Sequence, residues 1–366
     1  MTDTYTNSSI RGEALMHREI IPDSDAEQQV TAMAASNAEQ LNNVGSGADW
    51  KEECGVYGVY GQGDDVSQLT YYGLFALQHR GQESAGIAIT DGAWMDVERG
   101  MGLVSEVFRH RLPYMENAKI AIGHVRYSTT GGKDMGNIQP LVIRHIKGNL
   151  ALAHNGNLIN ADEIRKQFEL SGGIFHGTSD TEAIAYSIVS NRLKCKSTEQ
   201  AVEQTMCVIK GAYSCVLMTA TKMIAFRDPN GFRPLCLGKT ADGAYCVSSE
   251  SCALDTVGAS FIRDILPGEI VVISDEGINS VKTHCTPKEK SSICVFEYIY
   301  FARPDSVIDG VSVQQARMRA GSFLAKEHPV SADIVIGVPD SGIDAALGYA
   351  RESGIPYGIG FIKNRY

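Results

Sequence analysis

Lys51-Glu52-Glu53-Cys54-Gly55-Val56-Tyr57-Gly58-Val59-Tyr60 marks the point where this chain changes character. Residues 1–53 are mostly polar, with Tyr5 and Trp50 their only aromatics, and read as a disordered leader. From Cys54 an apolar, strand-like stretch begins at once, as though the folded protein starts at the cysteine. A cysteine that becomes the first residue after processing carries both a thiol and a free α-amine. That amine, with an unperturbed pKa of ~8, can take the thiol's proton, so one residue supplies a nucleophile and its base. The competing reading is a small buried cysteine opening a first strand.

The 366 residues accommodate about two domains, at roughly 150 residues each. Hydrophobic residues make up 43 % and charged residues 21 %, as in ordinary globular proteins. A net charge of −10 without any Lys/Arg-rich tract argues against nucleic acid or an anionic membrane as partner. No apolar run approaches the ~18 residues of a membrane helix. The N-terminus has no secretory pattern, and its ten acids against Arg11, Arg18 and Lys51 make a poor transit peptide, so a cytoplasmic location is expected. Nine scattered cysteines without a C-x-x-C pair fit a reducing compartment.

Between 54 and about 290 the signals are mixed α and β. Short apolar runs at 119–125, 150–154, 213–219 and 223–227 predict strands, and helical spacing predicts helices over 160–170 and 179–192. In the second helix Ser179 is followed three residues on by Glu182, a capping-box pattern. Beyond about 293 a helix at 312–326, a strand at 332–338, a helix through Arg351 and a strand at 355–362 form a β-α-β unit, implying parallel strands. Two such strands cannot complete a sheet, so the chain is expected to be cut short at its C-terminus.

Four polar clusters follow Cys54 in order. Gln78-His79-Arg80-Gly81-Gln82-Glu83-Ser84-Ala85-Gly86 is a glycine-bearing turn between a helix and a strand. Gly123-His124-Val125-Arg126-Tyr127-Ser128-Thr129-Thr130-Gly131 ends a strand on a lone arginine. His154-Asn155-Gly156-Asn157 ends the next strand, and Thr178-Ser179-Asp180-Thr181-Glu182 opens a helix. Taken singly, Arg126 reads as an exposed strand-end charge, Asn155-Gly156 as a hairpin turn and Asp180 as a capping residue.

Taken together, the set resembles the class II glutamine amidotransferases, which are N-terminal nucleophile hydrolases. Within them it is most similar to the amidophosphoribosyltransferase (glutamine phosphoribosylpyrophosphate amidotransferase) family. The narrower likeness rests on residues 77–86, Asp228-Pro229-Asn230-Gly231-Phe232-Arg233-Pro234-Leu235, Ser248-Ser249-Glu250-Ser251-Cys252, Phe296-Glu297-Tyr298-Ile299-Tyr300-Phe301-Ala302-Arg303-Pro304-Asp305-Ser306 and Lys363-Asn364-Arg365-Tyr366. The Glu297-to-Ser306 block separates it from glucosamine-6-phosphate synthase and asparagine synthetase. The resemblance implies an α/β (α+β) chain: a four-layer αββα sandwich over 54–293, then the start of a parallel α/β phosphoribosyltransferase domain over 294–366. It implies removal of the leader as a propeptide and attack of Cys54 on the glutamine side-chain amide, through a thioester. Asn155 and Gly156 would stabilise the oxyanion, Arg126 would grip the α-carboxylate, Asp180 the α-ammonium, and Thr129 would line the pocket. Arg80 and Gly81 would belong to a loop that closes over glutamine.

The parent reaction of that family, in purine biosynthesis, passes the ammonia to phosphoribosyl pyrophosphate and yields 5-phosphoribosylamine, glutamate and pyrophosphate. The resemblance also implies a [4Fe–4S] cluster with Cys294 as one ligand, and Mg2+ near Ser341. The remaining ligands of both lie outside this sequence, so neither is expected to be fully held, and the family implies a homo-oligomer. The acceptor signature, a hydrophobic strand running into two acids and a loop ending in Gly-Thr, is not found; Asp64-Asp65 follows a glycine in a polar loop. By itself the chain is thus expected to act only as a glutaminase. The alternatives are a class II glutaminase with another acceptor and a non-catalytic relic of the fold.

Overall fold

A computed structural model describes residues 54–61, 65–127, 135–285 and 291–362. The leader, Thr129, Asp64 and Lys363-Asn364-Arg365-Tyr366 lie outside them. The first strand, β1 (Gly55–Tyr60), is buried on both faces. Strand alternation sends Val56 and Tyr60 into one apolar cluster and Tyr57 and Val59 into another. This double burial sets the layering, because a strand buried on both sides needs cover above and below.

The remaining elements supply that cover. They are α1 (Val66–Ala76), β2 (Ser84–Thr90), β3 (Met95–Met101), α2 (Val104–Val107), β4 (Ile120–Arg126), β5 (Leu141–Ile143) and β6 (Leu150–Leu158). After them come α3 (Ala161–Leu170), α4 (Asp180–Lys194), α5 (Thr198–Met206), β7 (Gly211–Thr219), β8 (Met223–Arg227), β9 (Cys236–Lys239) and β10 (Tyr245–Ser248). Then follow α6 (Ser251–Thr256), β11 (Ser260–Asp264), β12 (Ile270–Ser274) and β13 (Gly277–Val281). One sheet runs β11-β9-β10-β1-β4-β2-β3 and the other β13-β12-β8-β7-β6-β5. Every pairing in both is antiparallel. One cluster, with Ile122, Ala153, Val216 and Val271, draws on both sheets. Helices α1 and α6 bury Leu74 and Leu254 against the first sheet, and α3 to α5 bury Ile164, Ile184 and Val202 against the second.

Two sequence expectations change here. Asn155 and Gly156 form no hairpin turn; they continue β6, paired with Ser214 and Tyr213 of β7. The capping box is not formed either. Ser179 does cap α4, accepting from Thr181 N, but the Glu182 carboxylate accepts instead from the backbone N–H groups of His176 and Gly177.

Beyond 291 the chain leans on the sheets before it turns away. Ser292 N and Cys294 N donate to the carbonyls of Asn230 and Phe232 at 2.7 and 3.1 Å. A π-helical turn over Glu297–Phe301 follows, then a hairpin of β14 (Val307–Ile308) and β15 (Val311–Ser312). Helix α7 (Val313–Glu327) leads to β16 (Val335–Ile336), α8 (Gly342–Ser353) and β17 (Tyr357–Gly358). β16 and β17 pair in parallel, as the β-α-β reading expects, though over two residue pairs only. Ile334, Val338, Ile359 and Ile362 around them are exposed. Among the described residues no helix is long and apolar enough to cross a membrane.

Arg227, at the end of β8, holds the hairpin in place. Its guanidinium is fully buried, donates to the carbonyls of Arg233, Ile265 and Gly231, and pairs both nitrogens with Asp309 at 2.8 and 3.0 Å. Removing one member of a buried ion pair leaves the other uncompensated, which costs about 3–5 kcal/mol. Asp309→Ala is therefore expected to destabilise the protein by an amount of that order, read as a lower urea midpoint at unchanged slope.

Candidate active site

Cys54 sits one residue before β1, whose neighbour β4 ends on Arg126. Its Sγ lies 3.7 Å from the carbonyl oxygen of Tyr127, just past the end of β4. Burial pushes the thiol up to about 11, while Arg126 and Arg80 pull it down and Asp180 opposes them. These three charges are thus all within electrostatic reach of the sulfur. A thiol in this setting stays protonated near neutrality, so it needs a base. With Glu53 attached, the Cys54 nitrogen is a peptide nitrogen and cannot act as one.

The second sheet brings its donors to the same end. His124 on β4 and His154 on β6 are joined across the sheets by a 3.0 Å hydrogen bond from His124 Nε2 to the His154 carbonyl. The next residue, Asn155, is 1 % exposed, and its Nδ2 has no hydrogen-bond partner among the described residues. A buried amide left without an acceptor is costly unless something else fills the role. Gly156 follows with φ +142°, where a Cβ would come within 2.1 Å of the Ala212 carbonyl oxygen, so a side chain is excluded. Asp180 opens α4. Its Oδ2 accepts from Leu158 N at 2.9 Å and its Oδ1 lies 3.6 Å from His154 Nδ1. Burial raises its pKa, but His154 and the N–H groups of Leu158 and Thr181 outweigh that and hold it below the usual carboxylate value.

Arg80 occupies a different kind of place from a closing loop. It ends a short 3-10 turn, Gln78–Arg80, and is 0 % exposed. Nε donates to the Cys54 carbonyl at 2.8 Å; Nη1 donates to Glu250 at 2.6 Å and Glu297 at 2.8 Å; Nη2 donates to Glu297 at 2.9 Å. Four of its five N–H groups are thus engaged inside the protein, and it lies against the backbone of Cys54. Gly81 allows the approach: a Cβ there would lie 2.5 Å from the backbone nitrogen of Arg126. This packing favours a supporting role for the pair beside the loop-closing one expected from the sequence.

The sequence reading did not single out Glu250, Glu297, Arg233 or His79 as site residues, although all four lie in the motifs that carried the resemblance. His79 Nε2 meets Glu250 at 2.8 Å and Arg233 meets Glu297 at 3.3 Å. Cys294 is half-buried, and no group of three or more His, Cys, Asp or Glu able to hold a metal occurs among the described residues. A four-iron cluster takes about four thiolates, so the described residues do not fit one. Ser341 precedes α8 and its hydroxyl makes no capping bond to that helix; among the described residues no group of three or more His, Cys, Asp or Glu gathers around it.

A family profile described as a glutamine amidotransferase domain matches residues 124–256, the stretch holding Arg126, Asn155, Gly156, Asp180 and Glu250. The chain is 50 % identical over 316 residues to the amidophosphoribosyltransferase of Bacillus subtilis, covering 86 % of this chain and 65 % of that one. It is 48 % identical over 327 residues to that of Methanocaldococcus jannaschii, covering 86 % and 69 %. It therefore spans about two thirds of the length of these relatives. The solved glutamine phosphoribosylpyrophosphate amidotransferase from B. subtilis, complexed with ADP and GMP, superposes with a TM-score of 0.78 at 48 % identity, covering 86 % of this chain and 67 % of that one.

The buried His124 yields an expectation for acid stability. Burial first, with Arg126 and His154, lowers its pKa from 6.5 to about 3. Below 6.5 the unfolded chain binds a proton that the folded one refuses, so this residue lowers stability progressively from pH 6.5 towards about 3. His124→Gln is expected to flatten that limb of a stability–pH profile measured by urea unfolding. An unchanged limb would contradict the assignment.

Proposed function

The chain belongs to the amidophosphoribosyltransferase family, and from that premise we propose that Cys54, freed at its amine, hydrolyses glutamine. The released ammonia would be destined for phosphoribosyl pyrophosphate. The observation that carries this reading is the buried Nδ2 of Asn155, which has no hydrogen-bond partner among the described residues. Asn155 follows His154, the neighbour of Asp180, whose charge acts on Cys54. A neutral resting site leaves such a donor unused; an oxyanion gives it an acceptor.

The steps follow from the residues. The α-amine takes the thiol proton, and Sγ attacks the carboxamide carbon of glutamine. Asn155 Nδ2 and the Gly156 N–H hold the oxyanion. The amine returns its proton to the departing nitrogen, ammonia leaves, and a thioester remains. Water, deprotonated by the same amine, cleaves the thioester to glutamate and regenerates the thiol. Arg126 suits the planar α-carboxylate, where a guanidinium can bond through two nitrogens. The charge of Asp180, kept low in pKa, suits the α-ammonium. Thr129 remains a proposed pocket residue, and Arg80 with Gly81 is assigned to support of Cys54.

In this reading 54–293 is the glutaminase domain, a four-layer αββα sandwich of the N-terminal nucleophile type, and 294–366 opens a phosphoribosyltransferase domain. There ammonia would displace pyrophosphate from phosphoribosyl pyrophosphate to give 5-phosphoribosylamine. Ser341 is proposed to face that acceptor's magnesium–pyrophosphate.

Asn155→Ala is expected to lower kcat for glutamate release by ~10²–10³ with little change in KM, as loss of one oxyanion donor does elsewhere. Arg126→Lys should chiefly raise KM for glutamine. Near-normal kcat in Asn155→Ala would remove Asn155 from the mechanism.

A further inference from the structure

We propose that Glu250 and Glu297 are positioning residues for glutamine hydrolysis, acting through Arg80 on the backbone carbonyl of Cys54. The inference rests on the glutaminase reading and adds to it residues outside the proposed glutamine-contacting set.

A guanidinium is planar and its N–H groups point in fixed directions. Glu297 receives one bond from each terminal nitrogen of Arg80, at 2.8 and 2.9 Å, and Glu250 receives a third at 2.6 Å. These carboxylates fix the plane, and the plane fixes where Nε–H points: to the Cys54 carbonyl at 2.8 Å. That carbonyl belongs to the peptide joining Cys54 to Gly55, so its orientation governs where the α-amine and Sγ of residue 54 can lie. A nucleophile at a chain terminus has no preceding residue to hold it, which makes this bond its main-chain restraint on the carbonyl side.

Each carboxylate is itself held. The second oxygen of Glu250 accepts from Arg303 N at 2.9 Å and Ser306 Oγ at 2.7 Å. Arg233 approaches Glu297 at 3.3 Å, so two guanidinium groups face two carboxylates. The turn bearing Glu297 is backed by α7, where Arg317 donates to the carbonyls of Tyr298 and Ala302, both at 2.7 Å. Four sequence blocks, around Arg80, Arg233, Glu250 and Glu297, thus converge under one backbone carbonyl. Stability alone does not call for this, since apolar side chains of similar volume often fill such a space as well as buried ions.

The test is steady-state glutamine hydrolysis by the processed protein and its Glu297→Gln and Glu250→Gln variants. It is paired with alkylation of Cys54 by a diazoketone analogue of glutamine, in which a thioether forms as dinitrogen leaves. Misplacing a reacting group by about 1 Å can cost ~10²-fold, so kcat is expected to fall about 10- to 100-fold. KM should stay within about twofold, because Arg126 and Asp180 are untouched, and alkylation should slow by the same factor as kcat. Labelling should still reach about one adduct per chain, showing that the variants are folded. The double variant should lose far less than the product of the single losses, since both act through Arg80. Arg80→Lys, which keeps the charge but not the fork, should reproduce the kcat loss. Normal kcat in the variants, a rise in KM alone, or fewer labelled sites reacting at the normal rate would overturn the proposal. Absence of both glutaminase activity and Cys54 labelling in the unsubstituted protein would instead overturn the underlying glutaminase reading.

Discussion

The charged contact between Arg80 and the carboxylates of Glu250 and Glu297 is the constraint on which the site depends. Arg80 and Glu297 are both 0 % exposed, so neither charge can be satisfied by solvent, and each requires the other. Burial alone would lower the pKa of Arg80 and raise that of Glu250. The ion pairs reverse both effects, so both groups keep their charge inside the protein. Removing one partner would strand a buried charge, at a cost of about 3–5 kcal/mol. The network therefore holds the turn after α1, the start of β1, the loop after β10 and the 297–306 segment in one arrangement.

Around that support, the two sheets contribute different chemistry. The first carries the proposed nucleophile just before β1 and, at the end of β4, a cation; the second carries the proposed oxyanion donors within β6. The 3.0 Å bond from His124 to the His154 carbonyl ties β4 and β6 together. Since burial keeps the Cys54 thiol protonated, the site calls for a base close to the sulfur. In the proposed mechanism the α-amine of the same residue meets that need, once the chain is opened before Cys54.

Much of this was legible in the sequence. The strand over Met223–Arg227 is where apolar alternation puts it, and Arg126 does end a strand. Asn155-Gly156 misleads because Asn-Gly is a hairpin signal. Nine residues of pairing with β7 override it, and Gly156 supplies the positive φ that this strand requires. The acidic partners of Arg80 were hidden by distance along the chain: Glu250 lies 170 and Glu297 217 residues away. Periodicity describes neighbours within one element, so no local pattern could reveal that pairing. The signal available was indirect, namely charged residues set within short apolar motifs.

The most direct test compares glutamate release by two forms of the full chain, one processed to begin at Cys54 and one with residues 1–53 still attached. Only the form beginning at Cys54 is expected to turn over glutamine, because only there is the nitrogen of residue 54 a base. Equal rates from both forms would contradict the claim that this cysteine supplies its own base.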